Sequence, residues 1–362
     1  MMTSQIQSNP SVPPLPLEDL NLVLAETAPL WEEMRAQSLF IAGGTGFFGC
    51  WLLESFCHIN RVLDLQARAT VLTRNPEAFR AKCPHLALEP VLTFLSGDLR
   101  DFAFPEGDFQ YVIHAATETS TEPTVQAQLN LLDSITRGTE RLLQFASVRG
   151  THKFLLTSSG AVYGRQPSHI PYLSETYSGA PDALDIASSY GEGKRLAELL
   201  CALYGHRFGI ECKIARCWAF CGAHLPLDRH FAIGNFIADA LAGRAIRITG
   251  DGTPRRSYLY AADLTIWLWT MLFRAPSLTP INVGSDRDVS ILELARAVAA
   301  TINPEIEVEV AKAAVPGTPV ARYVPSITRA RDLVGLSPRI GLEDCIRRTA
   351  AWYRVRIDRE AN

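Results

Sequence analysis

The feature that most restricts the fold is Gly43-Gly44-Thr45-Gly46-Phe47-Phe48-Gly49, which follows the short apolar run Leu39 to Ala42 and precedes a helical stretch, Cys50 to Ile59. Glycine at 43 lets the chain turn sharply off a strand, at 46 lets backbone approach a ligand, and at 49 lets helix pack closely on strand. The helix that follows aims its first N–H groups at an anion, so the segment reads as a cradle for a pyrophosphate. The plainer reading is a glycine-rich turn without a ligand, and the loop lacks the lysine of a phosphate-transfer P-loop.

The chain beyond this loop alternates short apolar runs with helical stretches. Strands are expected at Leu39 to Ala42, Ala69 to Thr73, Leu92 to Leu95, Tyr111 to His114, Lys153 to Thr157 and Cys212 to Ala215. Each is continuously apolar, as strands buried on both faces are. Helices are expected at Cys50 to Ile59, Leu131 to Arg149 and Gly191 to Tyr204, long enough to serve as crossovers. The fold class is therefore α/β, a Rossmann-type doubly wound parallel sheet with a smaller C-terminal substrate-binding lobe. That lobe is expected after about Cys221, where Pro226, Gly243, Gly250, Gly252, Pro254, Pro276 and Pro280 break the regularity. The expected divisions are an N-terminal arm and helix at 1–37, a nucleotide-binding domain at 38–220 and a mainly substrate-binding lobe at 221–362, with a return to the first domain near 255–285. Residues 1–16, rich in Ser and Pro, read as a loose arm, and Leu17 to Arg35 as a helix.

With 362 residues, 47% of them apolar, the chain can bury a large core, and a net charge of −3 gives no electrostatic footprint for nucleic acid or an anionic membrane. The eight cysteines form no C-x-x-C pair and have no ligand-spaced histidines, so they read as reduced thiols and no metal site is expected. No apolar run is long enough to span a bilayer and no signal peptide is evident, so a cytoplasmic protein without membrane attachment is the expectation.

Strand ends carry the remaining signals. The second strand ends Thr73-Arg74-Asn75, with no acid to accept bonds from a ribose diol, while Arg74 suits a 2′-phosphate; NADP is favoured over NAD, although Arg74 can also be read as a surface charge. Asp98 and Leu99 follow the third strand, and Asp98 is placed to bond adenine. Ala115, Ala116 and Thr117 follow the fourth, and His114 reads as a packed strand-end residue. Tyr190 and Lys194 share one helix face, which brings an ammonium near a phenol and favours its ionised form. That makes Tyr190 a candidate acid and base, and Ser159 a candidate partner for the same substrate oxygen. An isolated Y-x-x-x-K is usually a helix surface; its company argues otherwise here.

In order along the chain stand Gly43-x-x-Gly46-x-x-Gly49, Gly97-Asp98, His114-Ala115-Ala116, Ser158-Ser159-Gly160-Ala161-Val162-Tyr163-Gly164, Tyr190-x-x-x-Lys194, Arg255-Arg256-Ser257-Tyr258 with Asp263, and Asn282-Val283-Gly284. With these the chain, from about Leu39 to Leu342, resembles the extended short-chain dehydrogenase/reductase family, in particular its nucleotide-sugar epimerases, dehydratases and ketoreductases. The resemblance implies a catalytic triad of Ser159, Tyr190 and Lys194, with Lys194 also binding the nicotinamide ribose. It implies cofactor contacts from Gly43, Thr45, Gly46, Phe47, Phe48, Gly49, Arg74, Asp98, Leu99, Ala115, Ala116 and Thr117. It further implies a nucleoside-diphosphate sugar as substrate, with Arg256 at its diphosphate and Asn235 at its nucleotide portion, and a homodimer. Arg255 reads as a surface charge.

Departures from the family pattern narrow the reaction. The 4,6-dehydratases carry Asp-Glu after the catalytic hydroxyl residue, and the decarboxylases keep a Glu, where this chain has Gly160-Ala161. Ala219 and Ile135 stand where many relatives have Asn. The expected activity is 4-keto reduction or C4 epimerisation of the sugar. The alternatives are a 4,6-dehydratase-like enzyme and a non-catalytic dinucleotide-binding sensor or scaffold.

Overall fold

The computed structural model describes residues 11–116, 122, 124–228 and 231–361. The helix α1 (Leu17–Thr27) and a 3-10 segment (Ala28–Met34) lead into β1 (Ser38–Ala42) and α2 (Phe47–Val62). Next come β2 (Arg68–Thr73), the short helices α3 (Pro76–Lys82) and α4 (Pro84–Ala87), β3 (Leu92–Ser96) and β4 (Tyr111–His114). The long helix α5 (Val125–Val148), β5 (Lys153–Ser159), α6 (Ser189–Phe208), β6 (Glu211–Cys217) and β7 (Phe220–Cys221) follow. The remainder runs α7 (Ala232–Leu241), β8 (Ile246–Ile248), β9 (Arg255–Ser257), β10 (Leu259–Tyr260), α8 (Ala261–Arg274) and β11 (Pro280–Val283). It ends with β12 (Asp288–Ser290), α9 (Ile291–Ile302), β13 (Val308–Val310), β14 (Arg322–Tyr323), α10 (Thr328–Val334) and α11 (Leu342–Ala361).

Seven strands pair in parallel in the order β11-β6-β5-β4-β1-β2-β3, a doubly wound sheet. Side chains of β1 alternate between its two faces. Leu39 and Ile41 join a core with α1, α2 and α8, while Phe40 and Ala42 join one with α5 and α6. The sheet reverses its order between β1 and β4, and both the glycine turn after β1 and the segment after β4 lie at this crevice, where open α/β sheets bind ligands. The chain returns from α8 to add β11 beside β6. The C-terminal part adds three small sheets, of which β12-β9-β14 faces the site described below.

Two N-terminal expectations need correction. Residues 11–16 are not a loose arm: Val12 and Leu15 are buried, Val12 donates to the Lys82 carbonyl, and Leu15 N–H donates to the buried Glu54 carboxylate. Apolar side chains spaced along a Pro-rich segment anchor it without any periodic structure. The helix expected to run to Arg35 ends at Thr27, because Pro29 lacks the N–H that would continue it, and a 3-10 segment takes over. There Trp31 packs against Phe56, Trp269 and Phe273. All eight cysteines are free and buried.

Candidate active site

Gly43 has φ +85°, and a Cβ there would lie 2.3 Å from the Ala116 backbone nitrogen, so the turn rests directly on the chain leaving β4. Gly49 is equally tight, its Cβ falling 2.3 Å from the Gly43 carbonyl oxygen, and a Cβ on Gly44 would meet the Val71 side chain at 2.6 Å. Around Gly46, the N-cap of α2, the nearest atom to such a Cβ is 3.6 Å away, so the helix N-terminus is uncovered. Backbone closeness on one side and an open helix end on the other fit a dinucleotide pyrophosphate. Phe47 and Phe48 open the helix, and Phe48 packs edge-on against Phe220 at 5.1 Å. Thr117 lies outside the described residues.

At the far end of the cradle Asp98 is engaged by Arg100, whose Nε and Nη2 donate to it at 2.8 and 3.0 Å, while its Nη1 reaches Asp133 at 3.3 Å. These bonds outweigh partial burial and hold the Asp98 carboxyl down at about 2, with Arg74 adding a weaker attraction. An adenine amine would therefore share this carboxylate with Arg100, a residue the motifs do not single out. Leu99 packs onto α5 at Gly138, where a Cβ would fall 2.7 Å from it. His114 is buried, its Nε2 3.0 Å from the Thr139 hydroxyl, and burial, with the Lys194 charge adding, lowers its pKa to about 3. The ring is neutral and packed, as expected of a strand-end residue.

Ser159 closes β5, and its hydroxyl accepts from the Ala161 N–H at 3.1 Å, capping the 3-10 turn that follows. Burial raises the pKa of both the Tyr190 and the Tyr323 phenol, and the Ser159 hydroxyl works against that rise at each. Tyr190 lies in the first turn of α6, and the Lys194 ammonium lies 5.9 Å from its ring centroid. Lys194 is only 1% exposed and donates to the Thr157 carbonyl at 2.7 Å. Burial lowers Lys194 to about 8 and raises Tyr190 to about 12, against the Ser159 bond. The expectation that the ammonium favours an ionised phenol is thus corrected for this arrangement. Desolvation dominates, and the ammonium is directed at a backbone carbonyl rather than at the phenol oxygen.

Beneath the triad lies a polar layer assembled from distant segments. Ser158 donates to Glu198 at 2.5 Å, and Arg216 grips the same carboxylate with Nε at 3.0 Å and Nη2 at 2.7 Å. Arg216 stands over the Tyr163 ring at 4.8 Å. Asn282 accepts from the Tyr163 hydroxyl at 2.9 Å and the Trp218 indole at 3.2 Å, and donates to the carbonyls of Leu173 and Ser326. Glu198 escaped the motif reading, yet it stands four residues after Lys194, as Lys194 does after Tyr190, so the helical period could have found it.

In the small C-terminal sheet Arg256 lies in β9, paired in register with Val289 of β12 and Tyr323 of β14. Its guanidinium is half-buried, 5.8 Å from the Tyr323 ring centroid. Arg255 is not a loose surface charge: it ion-pairs with Asp288 across the small sheet. The chain thus brings together Ser159, Tyr190 and Lys194 directly, and Arg256 through Tyr323, which no local pattern announces. Asn235 lies apart, exposed on α7. Ile135, standing where relatives have Asn, fills space against Gly193 of α6. Among the described residues there is no cluster able to hold a metal ion and no helix long and apolar enough to cross a membrane.

The family model described as NAD dependent epimerase/dehydratase matches residues 39–284. UDP-glucuronic acid decarboxylase 5 of Arabidopsis thaliana is 29% identical over 365 residues, covering 99% of this chain and 98% of its own. UDP-glucuronic acid decarboxylase 1 of Xenopus tropicalis is 26% identical, covering 91% of this chain and 75% of its own. Among solved structures, the UDP-N-acetylglucosamine 4-epimerase of Methanobrevibacter ruminantium superposes with a TM-score of 0.76 at 21% identity, covering 89% of this chain and all of that one. The UDP-glucuronic acid 4-epimerase of Bacillus cereus, solved with NAD, gives 0.73 at 19%, covering 88% and 96%. Glycine cradle, triad and match run through the same span of sequence, and the chain belongs to the NAD-dependent epimerase/dehydratase family.

Proposed function

We propose that the protein performs hydride chemistry at C4 of a nucleoside-diphosphate sugar, as a 4-keto reductase or a C4 epimerase. The observation that carries this reading is the convergence of Ser159, Tyr190 and Lys194 beside the glycine cradle, with Arg256 facing them from the small lobe. A nicotinamide cofactor held by Gly43, Gly46 and Gly49 supplies the hydride donor and acceptor. Tyr190 exchanges a proton with the C4 oxygen, and Ser159 hydrogen-bonds that oxygen as it changes between alcohol and carbonyl. A phenol raised to about 12 is protonated at neutral pH, so it is ready to deliver a proton to a 4-keto oxygen. Arg256 offers the planar fork suited to a diphosphate, and exposed Asn235 a contact to the nucleotide portion. Arg74, with no acid at the end of β2, supports NADP over NAD. Exposed Leu129 of α5 and Leu196, Leu199 and Leu203 of α6 support pairing of two copies along these helices.

The similarity to UDP-glucuronic acid decarboxylases favours a second reading, C4 oxidation of a UDP-uronic acid followed by loss of carbon dioxide. A 4-keto uronate is a β-keto acid, and its decarboxylation makes small demands on a base. Dehydration has less support, since Gly160 and Ala161 supply no carboxylate.

Incubation with UDP-glucose, UDP-N-acetylglucosamine, UDP-glucuronic acid and their 4-keto derivatives, with each cofactor, separates these outcomes. Interconversion of C4 epimers, or net NADPH consumption with a 4-keto sugar, supports the first reading, and carbon dioxide release the second. Tyr190→Phe is expected to lower turnover by about a thousandfold with cofactor affinity retained. Turnover unchanged in that variant would remove the assigned acid and base.

A further inference from the structure

Three successive residues close β5, and two of them are tied to successive turns of α6. The Thr157 carbonyl receives the Lys194 ammonium at 2.7 Å, the Ser158 hydroxyl donates to Glu198 at 2.5 Å, and Ser159 carries the hydroxyl of the triad. Tyr190, Lys194 and Glu198 follow one another at intervals of four residues, so they share one face of the helix. Glu198 is itself held from the sheet. Arg216 pairs in register with Ser158 on the neighbouring strand, and its fork takes both carboxylate oxygens, Nε on Oε1 at 3.0 Å and Nη2 on Oε2 at 2.7 Å. Only 12% of the Glu198 side chain and 15% of the Arg216 side chain are exposed, so this is not one of the solvated pairs that hold little. A bidentate guanidinium fixes the plane of the carboxylate, and the low local dielectric strengthens the bonds it accepts. Strand, neighbouring strand and helix thus meet at one anion.

We propose that Glu198 is a positioning residue of the active site, an anchor that holds the end of β5 and the triad face of α6 in one register through Ser158; the role rests on the C4 reading above. The apolar packing of α6 with α5 is non-directional, and it presses the helix onto its neighbours without fixing rotation about its own axis. The bond from Lys194 to Thr157 is a single pivot. Glu198 supplies a second attachment about 6 Å farther along the axis, and two points fix both the rotation and the slide of the helix. The same bond fixes the strand end. Successive side chains on a strand point to opposite faces, so holding Ser158 towards α6 sets the direction in which Ser159 leaves the chain. A carboxylate suits the place because it accepts the serine proton and both guanidinium N–H groups at once, whereas an amide brings one acceptor oxygen and turns an NH2 group towards the arginine. Glu198 touches no reacting atom, and acts on the triad through Ser158 and through the helix that carries Lys194.

The test uses the full-length protein, with hydride transfer read on the substrate and cofactor pair that the panel above identifies, and dinucleotide affinity read without sugar. Ser158→Ala deletes one hydroxyl and leaves Glu198 in the grip of Arg216. It is expected to lower kcat by about tenfold to a hundredfold with KM for the nucleotide sugar within about twofold, as a small misplacement of reacting groups does. Dinucleotide affinity is expected to fall by about threefold to tenfold, the effect of one weakened hydrogen bond, because the motifs imply a ribose contact for Lys194. Ser158→Thr, whose hydroxyl can replace the lost one, is expected to return both quantities to within about twofold of the wild type. Glu198→Gln is expected to lower kcat at least as far as Ser158→Ala does, and the double variant no further, because the two residues act as a unit. Wild-type kcat or wild-type dinucleotide affinity in Ser158→Ala, a raised KM with kcat unchanged, no recovery in Ser158→Thr, or losses that multiply in the double variant would each overturn the assignment. Absence of hydride transfer with every member of the panel overturns the C4 reading instead. Dinucleotide affinity and its recovery in Ser158→Thr still decide the role of Glu198 in that case, so the two failures are distinguishable.

Discussion

Around Gly43 the contacts are backbone on backbone, with a hypothetical Cβ 2.3 Å from the Ala116 nitrogen, whereas around Asn282 they are made by a side chain, with two side-chain donors and two backbone carbonyls converging on one amide. The first region is defined by what must be absent and the second by what must be present. A site made by excluding side chains is encoded locally, as glycines a few residues apart. A site made by donors and acceptors is encoded by residues whose proximity exists only after the sheet and the C-terminal strands have assembled. The two regions should therefore fail differently when they are mutated.

The largest effect is expected in the backbone region. Gly43→Ala places a side chain at φ +85° and drives its Cβ into the Ala115–Ala116 backbone, which can move only by shifting the end of β4. Left-handed strain alone costs roughly 1 kcal/mol. With the backbone clash the expected loss is about 4 kcal/mol of stability, together with cofactor binding. Denaturant unfolding and cofactor titration check both. A near-normal variant would mean that the turn is not rigidly packed and that the comparison with Asn282 has no basis.

The side-chain region should lose stability without losing the cofactor. Asn282→Ala strips partners from the Tyr163 hydroxyl, the Trp218 indole and two carbonyls, three of these bonds buried and the one to Ser326 partly so, and is expected to cost about 3 kcal/mol. Dinucleotide affinity should stay within about twofold, since Asn282 touches no part of the glycine cradle. A parallel loss of affinity would show that the two regions are one cooperative unit rather than two.

The same contrast governs what the sequence made legible. The strand from Tyr111 to His114, the glycine turn and the Tyr190–Lys194 pair are short-range patterns, and the structure has each where its period places it. Glu198 is within reach of the same helical period, but its partner Arg216 lies on the next strand, which no local spacing marks. Tyr323 and Arg100 had no such period. Tyr323 is brought over Gly160 by a two-residue strand that pairs with β9, and Arg100 is drawn onto Asp98 by a loop, so neither position is marked by a pattern. The raised pKa of Tyr190 lies outside such patterns for a related reason. Spacing along α6 specifies that a lysine is near, but not that β5 presents the Thr157 carbonyl to receive its ammonium.

His114 is the place where the backbone-made cradle depends on a titratable side chain, and it yields the smallest effect and the sharpest test of the boundary between the two regions. It ends β4, immediately before the segment on which Gly43 rests, and it is buried and neutral. An unfolded chain takes up a proton on this histidine below its ordinary pKa of 6.5, whereas the folded chain does so only near 3. Stability from the neutral ring is therefore complete above 6.5 and declines as pH falls from 6.5 towards 3. At about 1.4 kcal/mol per pH unit, the loss between pH 6.5 and pH 5 is about 2 kcal/mol. His114→Gln, whose amide can still reach the Thr139 hydroxyl, should remove that slope and leave the part contributed by carboxylates. The check is denaturant unfolding of both proteins at the two pH values. Equal slopes would mean that protonated His114 is accommodated by a shift at the end of β4, and the Gly43–Ala116 contact would then be softer than its packing indicates.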